Sequence, residues 1–266
     1  MSIITKTSNT VEYEIAEGIA VPHGFTTRLG GVSEGIFSSL NIANHRGDSA
    51  EAVAENFRRL GLAMGFDPAN AVLTRQTHSD IVRVVTDADC QGLDHHQYPE
   101  CDALITATPG LALVVFTADC TPILFHDPVT GAVGAAHAGW RGTAANIAGK
   151  TVQAMADAFG CDPGNIRAAI GPNIGQCCFE TDADVPDAML AALGSSALPH
   201  IRACGDKYYV NLKEINACFL KAAGVSHIEI SPSCTVCQSD RFWSHRVTRG
   251  QRGSQGAIIV CKEGQL

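Results

Sequence analysis

The 266 residues carry a formal net charge of −8, from 19 Lys and Arg against 27 Asp and Glu, and 45% of them are apolar. An acidic balance argues against nucleic acid or an anionic membrane surface as the main partner, and the apolar share is ample for a sizeable core. No linker, charge block, low-complexity tract or solenoid-length repeat divides the chain, so one domain over residues 1–266 is expected. The first ten residues lack the apolar core of a signal peptide, and no apolar run is long enough for a bilayer. With 11 cysteines, an odd count, the expectation is a cytoplasmic protein with reduced thiols, most of them small buried hydrophobes.

Residues 11–30 read as short strands that stop at Gly30-Gly31. An irregular polar segment leads to Asn41. Asp48 and Glu51 have the spacing of a capping pair for a helix over residues 49–64, with Val53, Phe57, Leu60 and Met64 on its apolar face. Residues 71–76 and 81–85 read as strands around Thr77-His78-Ser79-Asp80, so His78 is expected in a tight connection. The polar loop 87–100 holds His95-His96, expected as a solvated pair. Strands follow at 102–106 and 111–117, separated by Thr108-Pro109-Gly110. The run 111–117 leads to Asp119-Cys120, and a second run, 132–136, stops at His137. Asp127-Pro128-Val129-Thr130-Gly131 supplies the reversal between them. Cys120 and His137 are therefore expected at strand ends, where a sheet holds side chains rigidly at a cleft.

Gly139-Trp140-Arg141-Gly142-Thr143 opens an Ala-rich helix over residues 143–159, which would set an Arg and a helix N-terminus at one point, a natural anion site. A strand over 165–170 and a turn-rich loop over 171–175 lead to Cys177-Cys178, read as two free thiols. Thr181 and Asp184 resemble a capping pair for a helix to Leu193. A strand at 208–210, a helix over 212–223 stopped by Gly224 and strands at 228–230 and 256–261 complete the chain. Strands outnumber helices without regular alternation, so the fold class is α+β, a mixed β-sheet layered with helices.

Two kinds of chemistry suit these residues. Catalytic zinc takes three ligands from His, Cys and carboxylates and keeps one position open; His78, Cys120 and His137 could form such a set. A buried Cys and two hydrogen-bonded histidines are the bland alternative. Cys120 could instead act as a nucleophile with His137 and Asp119 in a metal-free cysteine hydrolase. Cys234-Thr235-Val236-Cys237 is half a structural zinc site, but no second pair follows it in the sequence.

Taken together, Phe25-Thr26-Thr27-Arg28-Leu29-Gly30-Gly31-Val32-Ser33, Ser39-Leu40-Asn41, Gly47-Asp48, Gln76-Thr77-His78, Cys101-Asp102-Ala103, Ala118-Asp119-Cys120, Ala136-His137-Ala138-Gly139-Trp140-Arg141-Gly142, Ile170-Gly171-Pro172, Cys234-Thr235 and Phe242-Trp243-Ser244-His245-Arg246 resemble the YfiH-like family, also known as laccase-domain or polyphenol oxidase proteins. The resemblance runs from about residue 20 to the C-terminus, leaving about residues 1–20 as an N-terminal extension. Thr77 and Trp243 depart from the Val and Phe common in the family, beside the candidate ligands. The resemblance implies a single YfiH-like (cytotoxic-necrotizing-factor-like) domain, often monomeric, with zinc on His78, Cys120 and His137, which would also be the catalytic residues. It implies phosphorolysis of adenosine, inosine or methylthioadenosine to free base and ribose 1-phosphate, with deamination of adenosine at the same site. Arg28, Asn41 and Arg141 are the expected contacts to phosphate and nucleoside, and Asp119 is the candidate proton donor. A true laccase fits poorly: multicopper sites need His-rich clusters, and the 10 His here include no His-x-His. Copper could still compete with zinc for one Cys/His site.

Overall fold

The computed structural model describes residues 2–262, apart from the side chain of His45. A first six-stranded sheet runs in the order Ile3–Ser8, Val11–Ala16, His23–Thr26, Gln255–Val260, Ala112–Thr117, Ala71–Leu73. Its pairs are antiparallel except the last, which is parallel. A second six-stranded sheet runs His227–Ile230, Arg167–Ile170, Thr121–His126, Val133–Ala138, Ala103–Thr106, Val82–Val84. It is parallel at both edges and antiparallel between them. A small third sheet joins Glu180–Thr181, Lys207–Val210 and Ile201–Cys204. The α+β reading with mixed pairing and layered helices describes this architecture; the strands are divided between two large sheets instead of one.

Alternation along the second sheet explains why it is buried on both faces. Leu104, Leu124 and Ala135 join the apolar cluster shared with the first sheet and helix Ala50–Met64. Their neighbours Ile105, Ile123, Phe125 and Ala136 join the cluster under helices Ile147–Phe159 and Leu212–Ala222. Strands covered on both sides read as unbroken apolar runs, as do residues 112–116, all of which are buried. Burial of each large aliphatic side chain contributes roughly 1.5–3 kcal/mol. Among the described residues no helix is long and apolar enough to cross a membrane.

Local chemistry moves some boundaries. Strand Thr121–His126 was not expected, because Pro122 demotes the run. The ring sits near the strand start, where a missing N–H costs least, and the Pro122 carbonyl accepts from Gly171 N–H at 2.9 Å. Ser49, not Asp48, caps the first long helix, accepting from Ala52 N–H. Thr181 lies in a strand, and the helix it was expected to open spans Asp184–Leu193 with Ala183 at its N-cap. The helix expected over 143–159 is two helices, Trp140–Ala144 and Ile147–Phe159. Thr143 therefore lies inside a short helix, buried, its hydroxyl accepting from Asn216 at 3.0 Å.

Asn146 makes the break. Its φ is 60° and its side chain accepts from Gly149 N–H at 3.0 Å, so one residue is both turn and N-cap. Asn tolerates the left-handed region where other side chains pay about 1–2 kcal/mol. Asn146→Ala loses both properties and is expected to destabilise the protein by about 2 kcal/mol, whereas Asn146→Gly is expected to cost less than about 1 kcal/mol. Denaturant midpoints of the two variants check this.

Candidate metal centre and its cavity

Three chain segments meet at one end of the second sheet. His137 stands opposite Pro122, and Ala103 opposite Ala136. Cys120 immediately precedes strand Thr121–His126, and Asp102 immediately precedes strand Ala103–Thr106. The register thus brings Cys120, His137 and Asp102 together, and His137 N–H donates to the Asp102 carbonyl at 2.7 Å.

The 77–79 turn folds over the Asp102 carboxylate. It accepts from the backbone N–H groups of Thr77, His78 and Ser79 at 3.1, 3.1 and 2.7 Å, and from the Ser79 hydroxyl at 2.7 Å. A fifth contact, 2.7 Å, runs to His137 Nδ1. His78 has φ 60°, a left-handed conformation that lets consecutive N–H groups converge on one anion. One fully buried carboxylate therefore fixes the His137 ring through Nδ1 and His78 through its backbone. With Nδ1 committed, His137 offers Nε2.

Cys120 Sγ lies 3.9 Å from His78 Nε2. The His78 and His137 rings meet edge to face with centroids 5.0 Å apart. One donor atom from each of the three residues lies within 4.8 Å of the others. Zinc with Zn–S of about 2.3 Å and Zn–N of about 2.0–2.1 Å in tetrahedral geometry spaces sulfur and nitrogen about 3.6 Å apart, so the donor set fits such an ion. Gly139 packs against two of the three: a Cβ there would stand 2.7 Å from His78 Cδ2 and 3.4 Å from Cys120 Sγ.

The electrostatics couple these groups. Burial works to raise the Asp102 pKa, but the hydrogen bonds and charge of His137, with the donors of Ser79, hold it down at about 2. Burial disfavours a charged His137, yet Cys120 and Asp102 outweigh it and lift the imidazole to about 9. Burial likewise opposes a thiolate at Cys120, but His137 and His78 bring it down to about 6.

Two adjoining depressions of about 530 and 670 Å³ open beside Cys120 and share His78, Ala118, Arg46 and Arg252 as walls. Phe116 lines one and Phe179 the other. Arg252 is 7% exposed and donates to the Gly253 carbonyl at 2.8 Å and to Ser254 Oγ at 3.0 Å. The buried Nε atoms of Arg46 and Arg252 have no partner among the described residues. Burial and the proximity of Arg46 hold the Arg252 pKa down at about 10.

Of the other residues singled out in the sequence, Arg28, Asn41 and Arg141 line neither depression, whereas Asp119 and His95 each line one. The Arg28 guanidinium stacks 3.9 Å over Trp243 and donates to the carbonyls of Ser38 and Ser239. Arg141 is exposed and stacks 4.2 Å over Trp140. Asn41 is fully buried, with its amide spent on the Ala43 carbonyl and Asp48 and its oxygen on the N–H groups of Ala43 and Ser254. Asp119 lines the larger depression, but its carboxylate accepts from Thr235 Oγ1, Ser244 Oγ and Arg246 N–H. It is Asp102, not Asp119, that stands behind His137. His95, expected as solvated, is buried, contacts Asn44 Oδ1 at 3.0 Å and lines the smaller depression. Asp102, Arg46 and Arg252 escaped the sequence reading. Only Asp102 lay in a recognised motif, and Arg46 and Arg252 have no local signal.

Residues 22–262 match the family described as multi-copper polyphenol oxidoreductase laccase. The chain is 40% identical over 247 residues to the purine nucleoside phosphorylase YlmD of Geobacillus stearothermophilus, covering 90% of each. It is also 40% identical over 256 residues to the purine nucleoside phosphorylase of Deinococcus radiodurans, covering 94% of each. The crystal structure of the Geobacillus YlmD aligns with a TM-score of 0.93 and 37% identity over 99% of this chain and 100% of that one. That of a hypothetical protein YfiH from Bacillus licheniformis aligns with a TM-score of 0.91 and 35% identity, over 97% and 99%. With motifs, fold and site arranged in this way, the chain belongs to the laccase-like family of YfiH and YlmD.

Proposed function

We propose that the chain is a zinc-dependent purine nucleoside phosphorylase, acting on adenosine, inosine or methylthioadenosine with phosphate, and that the same cavity deaminates adenosine. In this reading it works as a cytoplasmic monomer on small molecules. The observation that carries it is the pairing of two features in one cavity: the His78–Cys120–His137 donor set, and two guanidinium groups with unpartnered Nε atoms. The names of the relatives support the same activity.

His78, Cys120 and His137 would hold the zinc, with Asp102 orienting His137 behind it, as carboxylates do behind zinc-bound histidines. When bound, zinc supplies a Lewis acid that polarises oxygen. Phosphate must be neutralised and turned toward the anomeric carbon. Arg46 and Arg252 bring planar, permanently charged forks to that task. Arg252 is pre-organised by Gly253 and Ser254, and Asn41 positions the Ser254 backbone in turn. Phe116 and Phe179 offer apolar faces to a purine ring. On this reading Arg28 and Arg141 brace aromatic neighbours instead of binding phosphate, and Asp119 ties loops together as a carboxylate.

Copper-dependent polyphenol oxidation is the weaker reading. One Cys and two His make a single site, not the His-rich clusters of a multicopper oxidase. A metal-free cysteine hydrolase draws its support from the Cys120–His137–Asp102 chain. It leaves His78, which also faces the sulfur, without a role.

Zinc-loaded protein is expected to release hypoxanthine from inosine only when phosphate is present. Arg46→Ala and Arg252→Ala are expected to raise KM for phosphate roughly 10–100-fold, the value of a lost hydrogen bond to a charged group, with a smaller change for the nucleoside. Turnover without phosphate, or amide hydrolysis that survives chelation and stops on alkylation of Cys120, would sink the proposal. Asp102→Asn is expected to weaken zinc binding about 10–100-fold, read by competition with a chromophoric chelator.

The metal-free chain should also show a defined pH dependence. Asp102 is depressed to about 2, so its contribution is complete above its ordinary value of 3.8 and is lost as pH falls toward about 2. His137 is raised to about 9, so its contribution is complete below 6.5 and is lost as pH rises through about 9. Over that alkaline range Cys120, held down at about 6, gains what His137 loses, so urea midpoints of chelator-treated protein are expected to fall on the acid side. Asp102→Asn is expected to flatten the acid side.

A further inference from the structure

Cys234-x-x-Cys237 has no companion pair in the sequence, but the fold supplies one. The loop that carries Cys177 and Cys178 packs against it. Cys237 Sγ lies 3.6 Å from Cys177 Sγ and 3.5 Å from Cys178 Sγ. All four sulfurs lie within 4.8 Å of one another. A tetrahedral metal with four M–S bonds of about 2.3 Å spaces its sulfurs about 3.8 Å apart. A disulfide would instead bring two of them to about 2.05 Å and leave the others out.

We propose that Cys177, Cys178, Cys234 and Cys237 form a second metal site, a structural tetrathiolate zinc centre that ties the 173–179 loop to the 231–246 loop. Four protein ligands close the coordination sphere, so this ion would have no open position for substrate. It shares no residue with the His78–Cys120–His137 set.

Three further features suit the assignment. Gly175 N–H donates to Cys234 Sγ at 3.2 Å, a bond that favours the thiolate a metal requires. A Cβ at Gly175 would lie 3.2 Å from Cys234 Cβ and 3.3 Å from Cys177 Sγ, so the glycine lets the two loops close up. Lys213, 7% exposed, lines the same depression as Cys177 and Cys234 and donates to the carbonyls of Ser231 and Ser233 at 2.6 and 2.7 Å. Its buried positive charge offsets part of the double negative charge of a zinc tetrathiolate.

The consequence reaches the cavity. The first loop carries Ile174 and Phe179, which line the larger depression. The second carries Thr235 and Ser244, which hold Asp119 beside Cys120. Without the ion the loops are still joined by the Asn173–Cys234 bridge, in which Thr235 N–H donates to the Asn173 carbonyl at 2.9 Å, by the Gly175–Cys234 contact and by Arg246, which donates to the Cys178 carbonyl at 3.2 Å. The second centre therefore braces a cavity wall without touching the contents.

Cobalt(II) is the probe. In the full chain with Cys120→Ser, which removes the thiolate of the first site, one equivalent of cobalt(II) is expected to give the intense sulfur-to-metal absorption of a tetrahedral thiolate complex. Adding Cys237→Ser or Cys178→Ser is expected to abolish that spectrum. In the unsubstituted chain, added zinc is expected to protect Cys177, Cys178, Cys234 and Cys237 together from iodoacetamide, a measurement that needs no variant to fold. Absence of thiolate absorption, its full retention after Cys237→Ser, or equal alkylation of the four cysteines with and without zinc would each overturn the proposal.

Discussion

One buried carboxylate sets the geometry on which the site depends. Asp102 accepts three backbone N–H groups, a hydroxyl and an imidazole. Without those five partners, a charge at full burial would cost several kcal/mol. With them it becomes the fixed point for two residues distant in sequence. It holds the 77–79 backbone in a conformation that turns His78 toward Cys120, and it decides which nitrogen His137 presents. Removing it would leave the donor atoms on the chain but not their orientation.

The sheets explain why a cavity opens there. Strand Ala112–Thr117 belongs to the first sheet and strand Thr121–His126 to the second. The connection between them is short, and it passes through Asp119 at φ 87°. Cys120 thus stands at the seam between two layers, where neither sheet can cover it completely. The loops that close the seam are pinned by polar contacts: Thr235, Ser244 and Arg246 converge on Asp119, and Asn41 holds Ser254. Apolar burial builds the layers; hydrogen bonds aim the loops.

Much of this was legible in the residues, and the gaps have physical causes. Apolar runs ending at Cys120 and His137 marked strand ends, and turn formers around His78 marked a tight connection. Helices with an apolar stripe, such as Ala50–Met64, were visible from their period. Pro122 concealed a strand because its missing N–H is tolerated by position, a fact of register and not of composition. Asn146 concealed a helix break because a single Asn in an Ala-rich stretch does not by itself stop a helix; its left-handed φ and its bond from Gly149 N–H do. Arg28 looked like an anion contact until Trp243, far along the chain, took its guanidinium face. Arg46 and Arg252 carry no local pattern, and only tertiary structure sets them around one cavity. Cys177-Cys178 and Cys234-x-x-Cys237 were each visible, but their meeting was not.

Strand Gln255–Val260 lies between His23–Thr26 and Ala112–Thr117, bonded to both. During vectorial synthesis both neighbours emerge long before it does. Until it arrives, each keeps an open edge of unpaired backbone, the kind of surface that recruits foreign strands. The first layer therefore closes only after residue 260 has been made. A chain stalled before residue 255 would be left sticky at the middle of its sheet, not at its margin.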